Sequence, residues 1–150
     1  MCYNVKKARR QNVYDHLPVI DNPLDERTAY LMSPITLAFV GDAVQQLLVK
    51  TSLATSSDKK NGELHKLAIL EVKASSQAAA ADAVLPHLTE KETDVFKRAR
   101  NHHASSPAKN ASIGDYKKAT GFEAVLGYLY LTGNTRRLSE IIKIGYEKEE

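Results

Sequence analysis

Two strongly apolar stretches of this chain each enclose a single carboxylate. Asp42 lies in LAFVGDAVQQLLV, residues 37–49, and Glu123 lies in TGFEAVLGYLYL, residues 120–131. Acidic side chains are rarely buried without a partner, because an unpaired buried carboxylate costs several kcal/mol or takes up a proton. Any fold that buries these segments must therefore bring each acid a cation, a hydrogen-bond donor or a wet cleft.

Residues three and four positions away share a helix face with a given residue. Around Asp42 these are Ala38, Phe39, Gln45 and Gln46; around Glu123 they are Ala119, Thr120, Leu126 and Gly127. The small residues would let two helices approach closely and leave room for a hydrated ion between the acids. Hard oxygen ligands with space for water suit magnesium, which takes only one or two protein carboxylates and polarises phosphates for hydrolysis. The competing reading is a pair of buried ion pairs to Lys or Arg from another helix. No P-loop, glycine-rich dinucleotide turn or HExxH pattern is present. The histidines at 16, 65, 87, 102 and 103 show no ligand spacing along a helix, and the single Cys2 excludes an internal disulfide or a multi-cysteine zinc site.

The remaining pattern is helical throughout. Residues 1–32 read as an irregular arm broken by Pro18 and Pro23. Ser33-Pro34 marks a helix start, with an apolar helix over Ile35–Lys50 and a loop at Ser56–Asp58. A second stretch runs from about Glu63 to Val84, weakened at Ser75-Ser76 and ended by Pro86. Thr89 to Glu92 forms a capping box that opens a helix to about Asn101. His102–Asp115 has loop composition. Lys117–Leu131 is helical, Gly133-Asn134 closes it, and Thr135 opens a last helix to Tyr146. No alternating strand pattern of useful length occurs, so the expected fold is an all-α bundle, with residues 33–150 as one domain. No apolar run reaches the roughly 18 residues of a membrane span, and the basic N-terminus lacks the apolar core of a secretory signal. A reducing, cytoplasmic setting is expected, with an organellar stroma or matrix as the alternative. No membrane and no small-molecule organic cofactor are expected.

Net charge is only +3, but between Lys97 and Lys118 six Lys and Arg (97, 98, 100, 109, 117, 118) face one acid, Asp115. Such a patch is either a solvated face or a polyanion-binding surface.

The segment Phe39-Val40-Gly41-Asp42-Ala43-Val44 resembles the signature helix of ribonuclease III. Gly121 to Tyr130, read as GFEAVLGYLY, resembles that family's second motif, about 80 positions later. Leu64-His65-Lys66, the run Lys73 to Ala78, Phe96 to Asn101, and Pro107 with Lys109-Asn110 are similar to the Mini-III branch, which lacks the double-stranded-RNA-binding domain; the resemblance covers about 33–147. With 27 residues after Glu123, no such domain is expected here. The resemblance implies a ribonuclease III-type helical bundle acting as an antiparallel homodimer. It also implies Mg2+, with Mn2+ able to substitute, and hydrolysis of double-stranded RNA to 5′-phosphate products in maturation of large-subunit (23S) ribosomal RNA precursor. Asp42 and Glu123 match the family's invariant acids and become the candidate catalytic and metal residues. Two further acids of the larger enzymes correspond here to Ala38 and Thr120, as in the Mini-III branch, so one tightly held ion is easier to support than two.

The basic stretch then gains a role. Lys97, Arg98, Arg100, His102, His103 and Lys109 are candidate RNA contacts, because duplex RNA is read mainly through phosphates and 2′-hydroxyls. Asn101 is either a 2′-hydroxyl contact or a helix C-cap. Lys66 and Lys73 either join the contacts or face solvent. A two-fold axis would set two sites on opposite strands; Leu47, Leu48, Leu126, Tyr128, Leu129 and Tyr130 offer apolar surface for it. The alternative reading is a non-catalytic RNA- or ribosome-binding module on the same fold, motivated by the two missing acids; a helical scaffold is the third.

Overall fold

The computed structural model describes residues 19–56, 58–102 and 112–146. Seven α-helices follow one another there: α1 (Glu26–Leu31), α2 (Pro34–Ser56), α3 (Asn61–Val72), α4 (Ala74–Val84), α5 (Glu90–Arg100), α6 (Ile113–Leu131) and α7 (Thr135–Tyr146), with a 3-10 turn at Leu85–His87. No strand occurs among the described residues, as the all-α reading required. None of these helices is long and apolar enough to cross a membrane.

Helix α6 is the hub. It runs through the middle of the molecule and packs on α2, α4 and α5. From Ala119 to Leu129 nearly every side chain is buried, with Phe122, Ala124, Val125 and Leu126 at 0–1% exposure. Its partner α2 crosses it at two glycines. A Cβ on Gly41 would lie 1.6 Å from the Glu123 carbonyl oxygen, and one on Gly127 would lie 2.0 Å from that of Leu37. The backbones touch there, and no side chain fits between them.

Several boundaries differ from expectation for local reasons. Helix α2 continues six residues beyond Lys50; Thr51 and Thr55, poor helix formers, return their hydroxyls to the carbonyls of Leu47 and Thr51 at 2.7 and 2.8 Å. The break between α3 and α4 falls at Lys73, which is extended at φ −66°, ψ 153°, slightly before the serine pair. Helix α6 begins at Ile113, because Ser112 caps it by accepting from the Asp115 amide at 3.0 Å. The capping box of α5 forms as expected, Thr89 and Glu92 exchanging both bonds.

The stretch expected to be irregular up to residue 32 instead ends in the ordered helix α1. Asp25 caps it through the Thr28 amide at 2.8 Å, Ala29 is fully buried, and the Leu24 amide donates to Leu131 O at 2.8 Å. Tyr30 donates its hydroxyl to Asp94 on α5. Six residues are too few for a periodic signal, so tertiary contacts define this helix.

Of the residues offered above as spare apolar surface, Leu48, Leu126, Tyr128 and Leu129 are buried in the chain's own core at 0–4% exposure. Leu47 is exposed at 48%, in a line on α2 with Ile35 at 37% and Phe39 at 79%.

The helix crossing is directly testable. Gly127→Ala should cost about 2 kcal/mol or more in urea unfolding, since overpacking a tight contact typically costs 1–3 kcal/mol. Gly62→Ala, where an added Cβ meets nothing within 4 Å, should be neutral or stabilising by up to about 1 kcal/mol. Equal stability of the two variants would contradict the crossing.

Candidate active site

Asp42 follows Gly41 on α2, and Glu123 lies on α6 at the point that Gly41 touches. The two acids are thus carried to the same spot by the closest helix contact in the molecule. They interact: the Asp42 carboxylate contributes to raising the Glu123 pKa, both by its charge and by a hydrogen bond. No Lys or Arg among the described residues pairs with either acid. Among the described residues, the alternative of two buried ion pairs is therefore not realised.

The acids are held by amides. Gln46, one turn along α2, donates to Asp42 Oδ2 at 3.1 Å. Gln77, on α4, donates to Glu123 Oε1 at 2.8 Å. Burial pushes the Glu123 carboxyl up to about 7; the Gln77 hydrogen bond opposes that, and nearby Asp42 adds to it. A carboxyl so perturbed, in contact with a second acid, is the arrangement expected at a functional site.

The pair fits a hard divalent cation. Two carboxylates with no cationic side chain beside them among the described residues are a donor set that Mg2+ accepts while keeping most of its water. No group of three or more His, Cys, Asp or Glu that could hold a metal occurs among the described residues. The positions of the missing acids explain this: Ala38 is buried, and Thr120 bonds back to Tyr116 O at 3.0 Å. A bound ion would rest on Asp42 and Glu123.

The candidate RNA contacts are less concentrated. Lys97, Asn101 and His102 are exposed at the C-terminal end of α5, Lys66 is exposed on α3, and Lys73 is exposed between α3 and α4. Arg100 donates to Asn101 Oδ1 at 3.2 Å and lies over Phe96, 5.8 Å from the ring centre. Asn101 is the C-cap of α5, its amide bonded to Lys97 O at 2.9 Å. Arg98 is engaged within the fold: it donates to Asp94 Oδ2 at 3.1 Å and to Tyr30 O at 2.8 Å, and it stacks 4.5 Å above the Tyr30 ring. It docks α1 onto α5. His103 and Lys109 lie outside the described residues.

A match to the Ribonuclease III domain extends over residues 35–134, taking in both acids and the helices that carry them. The chain belongs to the ribonuclease III family. Within it, the chain is similar to the Mini-ribonuclease 3 of Clostridium tetani, at 45% identity over 114 residues, 75% of this chain and 76% of that one. The Mini-ribonuclease 3 of Brevibacillus brevis is 44% identical over 117 residues, covering 78% and 87%. That of Streptococcus pneumoniae is 39% identical over 122 residues, covering 80% and 95%. A crystal structure of a protein from Fusobacterium nucleatum superposes with a TM-score of 0.69 at 28% identity, over 75% of this chain and 86% of that chain. The present chain is accordingly an endoribonuclease of the Mini-III type.

Gln77 was not singled out in the sequence, although a signal exists. It shares a face of α4 with Ala80, Ala81 and Val84, all buried, so a long amide stands where the period calls for an apolar residue.

The burial of Glu123 also has a cost that pH reveals. With a folded pKa of about 7 against an ordinary 4.5, the native state binds more protons than the unfolded state between those values, so stability falls as pH rises through that window. Without divalent metal, Glu123→Gln should therefore be more stable than the wild type at pH 8, by up to roughly 3 kcal/mol. At pH 4 the two should nearly coincide. Urea melts in EDTA at both pH values measure this; a variant no more stable at pH 8 would show that Glu123 is not desolvated.

Proposed function

We propose that the protein is a magnesium-dependent, homodimeric endoribonuclease that cuts double-stranded RNA to 5′-phosphate ends and matures the large-subunit (23S) ribosomal RNA precursor in the cytoplasm. The observation that carries the hydrolytic part is the pairing of Asp42 with Glu123, with no cationic side chain among the described residues to neutralise them. When bound, Mg2+, or Mn2+ in its place, supplies Lewis acidity toward the scissile phosphate and an activated water. The protein's own share is positional. Asp42 and Glu123 hold the ion, Gln46 and Gln77 orient the carboxylates, and the rigid α2–α6 contact fixes their separation.

Exposed Lys97, Asn101, His102, Lys66 and Lys73 and half-buried Arg100, with His103 and Lys109, carry the phosphate and 2′-hydroxyl contacts; Arg98 supports them by pinning α1 to α5. The ribosomal substrate is supported by the Mini-III resemblance. The dimer is supported by the apolar line on α2, where Ile35, Phe39 and Leu47 are exposed on the helix that also bears Asp42. A second copy of the chain, related by a two-fold axis, would cover that line and present one site to each strand.

Long duplex RNA incubated with the protein and Mg2+ should be cut, and EDTA should stop the reaction. Asp42→Asn and Glu123→Gln should each lower the rate by at least about a hundredfold, on the scale of losing one strong electrostatic contact in a transition state. Either variant at near-normal turnover would refute the site, and salt-dependent binding without cleavage would favour a non-catalytic RNA-binding module instead. Phe39→Glu should sediment as a monomer where the wild type is a dimer. Lys66→Ala with Lys97→Ala should flatten the salt dependence of RNA affinity by about one log-slope unit per lost phosphate contact. An unchanged slope would remove both from the interface.

A further inference from the structure

Two glutamines lie in the core of this protein where apolar residues would serve stability as well. Gln45 is 1% exposed and Gln77 is 4% exposed. Replacing a buried hydrogen-bonded pair by apolar groups of similar shape is nearly neutral, or even stabilising, so folding alone does not require two amides here. Their connections show what they serve. The Gln77 side chain has two N–H groups, and both are used: one donates to Glu123 Oε1 at 2.8 Å, the other to the Gln45 carbonyl oxygen. Gln45 in turn donates to the hydroxyl of Tyr146. Tyr146 ends α7, and its ring packs edge-on against Phe122, the chain neighbour of Glu123, with centres 6.1 Å apart at 67°.

The chain of bonds has a direction. Turned over, the Gln77 amide would present its carbonyl oxygen to the Glu123 carboxylate and repel it. Gln45 forbids that, because its own carbonyl accepts from the Gln77 nitrogen. The Gln45 nitrogen donates in turn to the Tyr146 hydroxyl, which anchors that side chain at the end of α7. The ionised Glu123 carboxylate only accepts, so it takes the Gln77 N–H, and the chain of Gln77, Gln45 and Tyr146, from α4, α2 and α7, holds that donor in place. The carboxylate, on a flexible side chain, is tethered by one oxygen to Gln77 and lies against Asp42.

We propose that Gln77 is a positioning residue for Glu123, and that the Tyr146–Gln45 pair locks its amide, so that the end of the last helix governs the geometry of the metal-binding carboxylate. This rests on the nuclease reading above. Gln77 touches neither RNA nor the reacting atoms; it sets the direction in which a Glu123 oxygen meets the ion. Networks of this kind amplify small changes, since each buried bond orients the next.

The test uses three variants, Gln77→Leu, Gln45→Leu and Tyr146→Phe, the last removing only a hydroxyl. Three quantities are read: Mn2+ affinity of the RNA-free protein by calorimetry, single-turnover cleavage rate, and the duplex concentration at half-saturation. Gln77→Leu should weaken Mn2+ binding and slow cleavage by about tenfold or more, as for loss of a bond to a charged group. Tyr146→Phe should do the same by about threefold, in line with a neutral bond. Half-saturation by duplex should not move, which a general loss of structure would not allow.

Unchanged Mn2+ affinity and rate in Gln77→Leu overturn the proposal. If Gln77→Leu and Gln45→Leu fail to fold, Tyr146→Phe decides alone: a loss supports the lock and wild-type behaviour overturns it. A wild type that neither binds Mn2+ nor cuts duplex sinks the nuclease reading instead. The Gln77 side-chain amide protons then judge the positioning by NMR. Two distinct, slowly exchanging signals that shift in Glu123→Gln support it; a single solvent-like pair overturns it.

Discussion

The contact on which the rest depends is the crossing of α2 and α6 at Gly41 and Gly127. Backbone meets backbone there, with an added Cβ on either glycine less than 2.1 Å from a carbonyl oxygen of the other helix. Such closeness leaves no space for side chains in the interface. It also carries the residue beside Gly41 and the residue opposite it, Asp42 and Glu123, to one place. The acids stand together because their helices cannot separate, and the mutual repulsion is absorbed by packing along the whole of α6.

Burial gives that arrangement its chemistry. Glu123 is raised to about 7 chiefly by desolvation, so the metal-free site is costly in its ionised form near neutrality. A divalent ion bound as proposed would relieve the cost and be held by what it relieves. The amides temper the effect without removing it: Gln77 and Gln46 each satisfy one carboxylate oxygen and bring no positive charge that would compete with the ion. Stability is thus given up at the site and recovered elsewhere. Among the contributions are the apolar surround of α6 and the part-buried pairing of Arg137 with Glu92 at 2.8 Å, which ties α7 to the start of α5.

Much of this was legible in the residues. Asp42 and Glu123 stood out because each interrupts an apolar helix, and the small neighbours Ala38, Ala119 and Gly127 signalled close approach. The Thr89–Glu92 capping box and the stop at Gly133, whose φ is +73°, were readable because local bonds define them. What escaped was decided at long range. Helix α1 is held by contacts from α5 and α6, the cap at Ser112 hides in loop-like composition, and Leu126 and Tyr128 could not be sorted between core and surface without coordinates. Gln77 lies 46 positions before Glu123, and no local pattern joins them. Arg98 reads as one of a basic run until Tyr30 is seen beneath it.

The most direct measurement is the location of manganese by anomalous scattering in crystals soaked with the ion. A peak between α2 and α6, within about 2.0–2.3 Å of an oxygen from Asp42 and an oxygen from Glu123, is the expected result. A peak bound to other residues, or none there at saturating manganese with both carboxylates turned away from each other, would contradict the account.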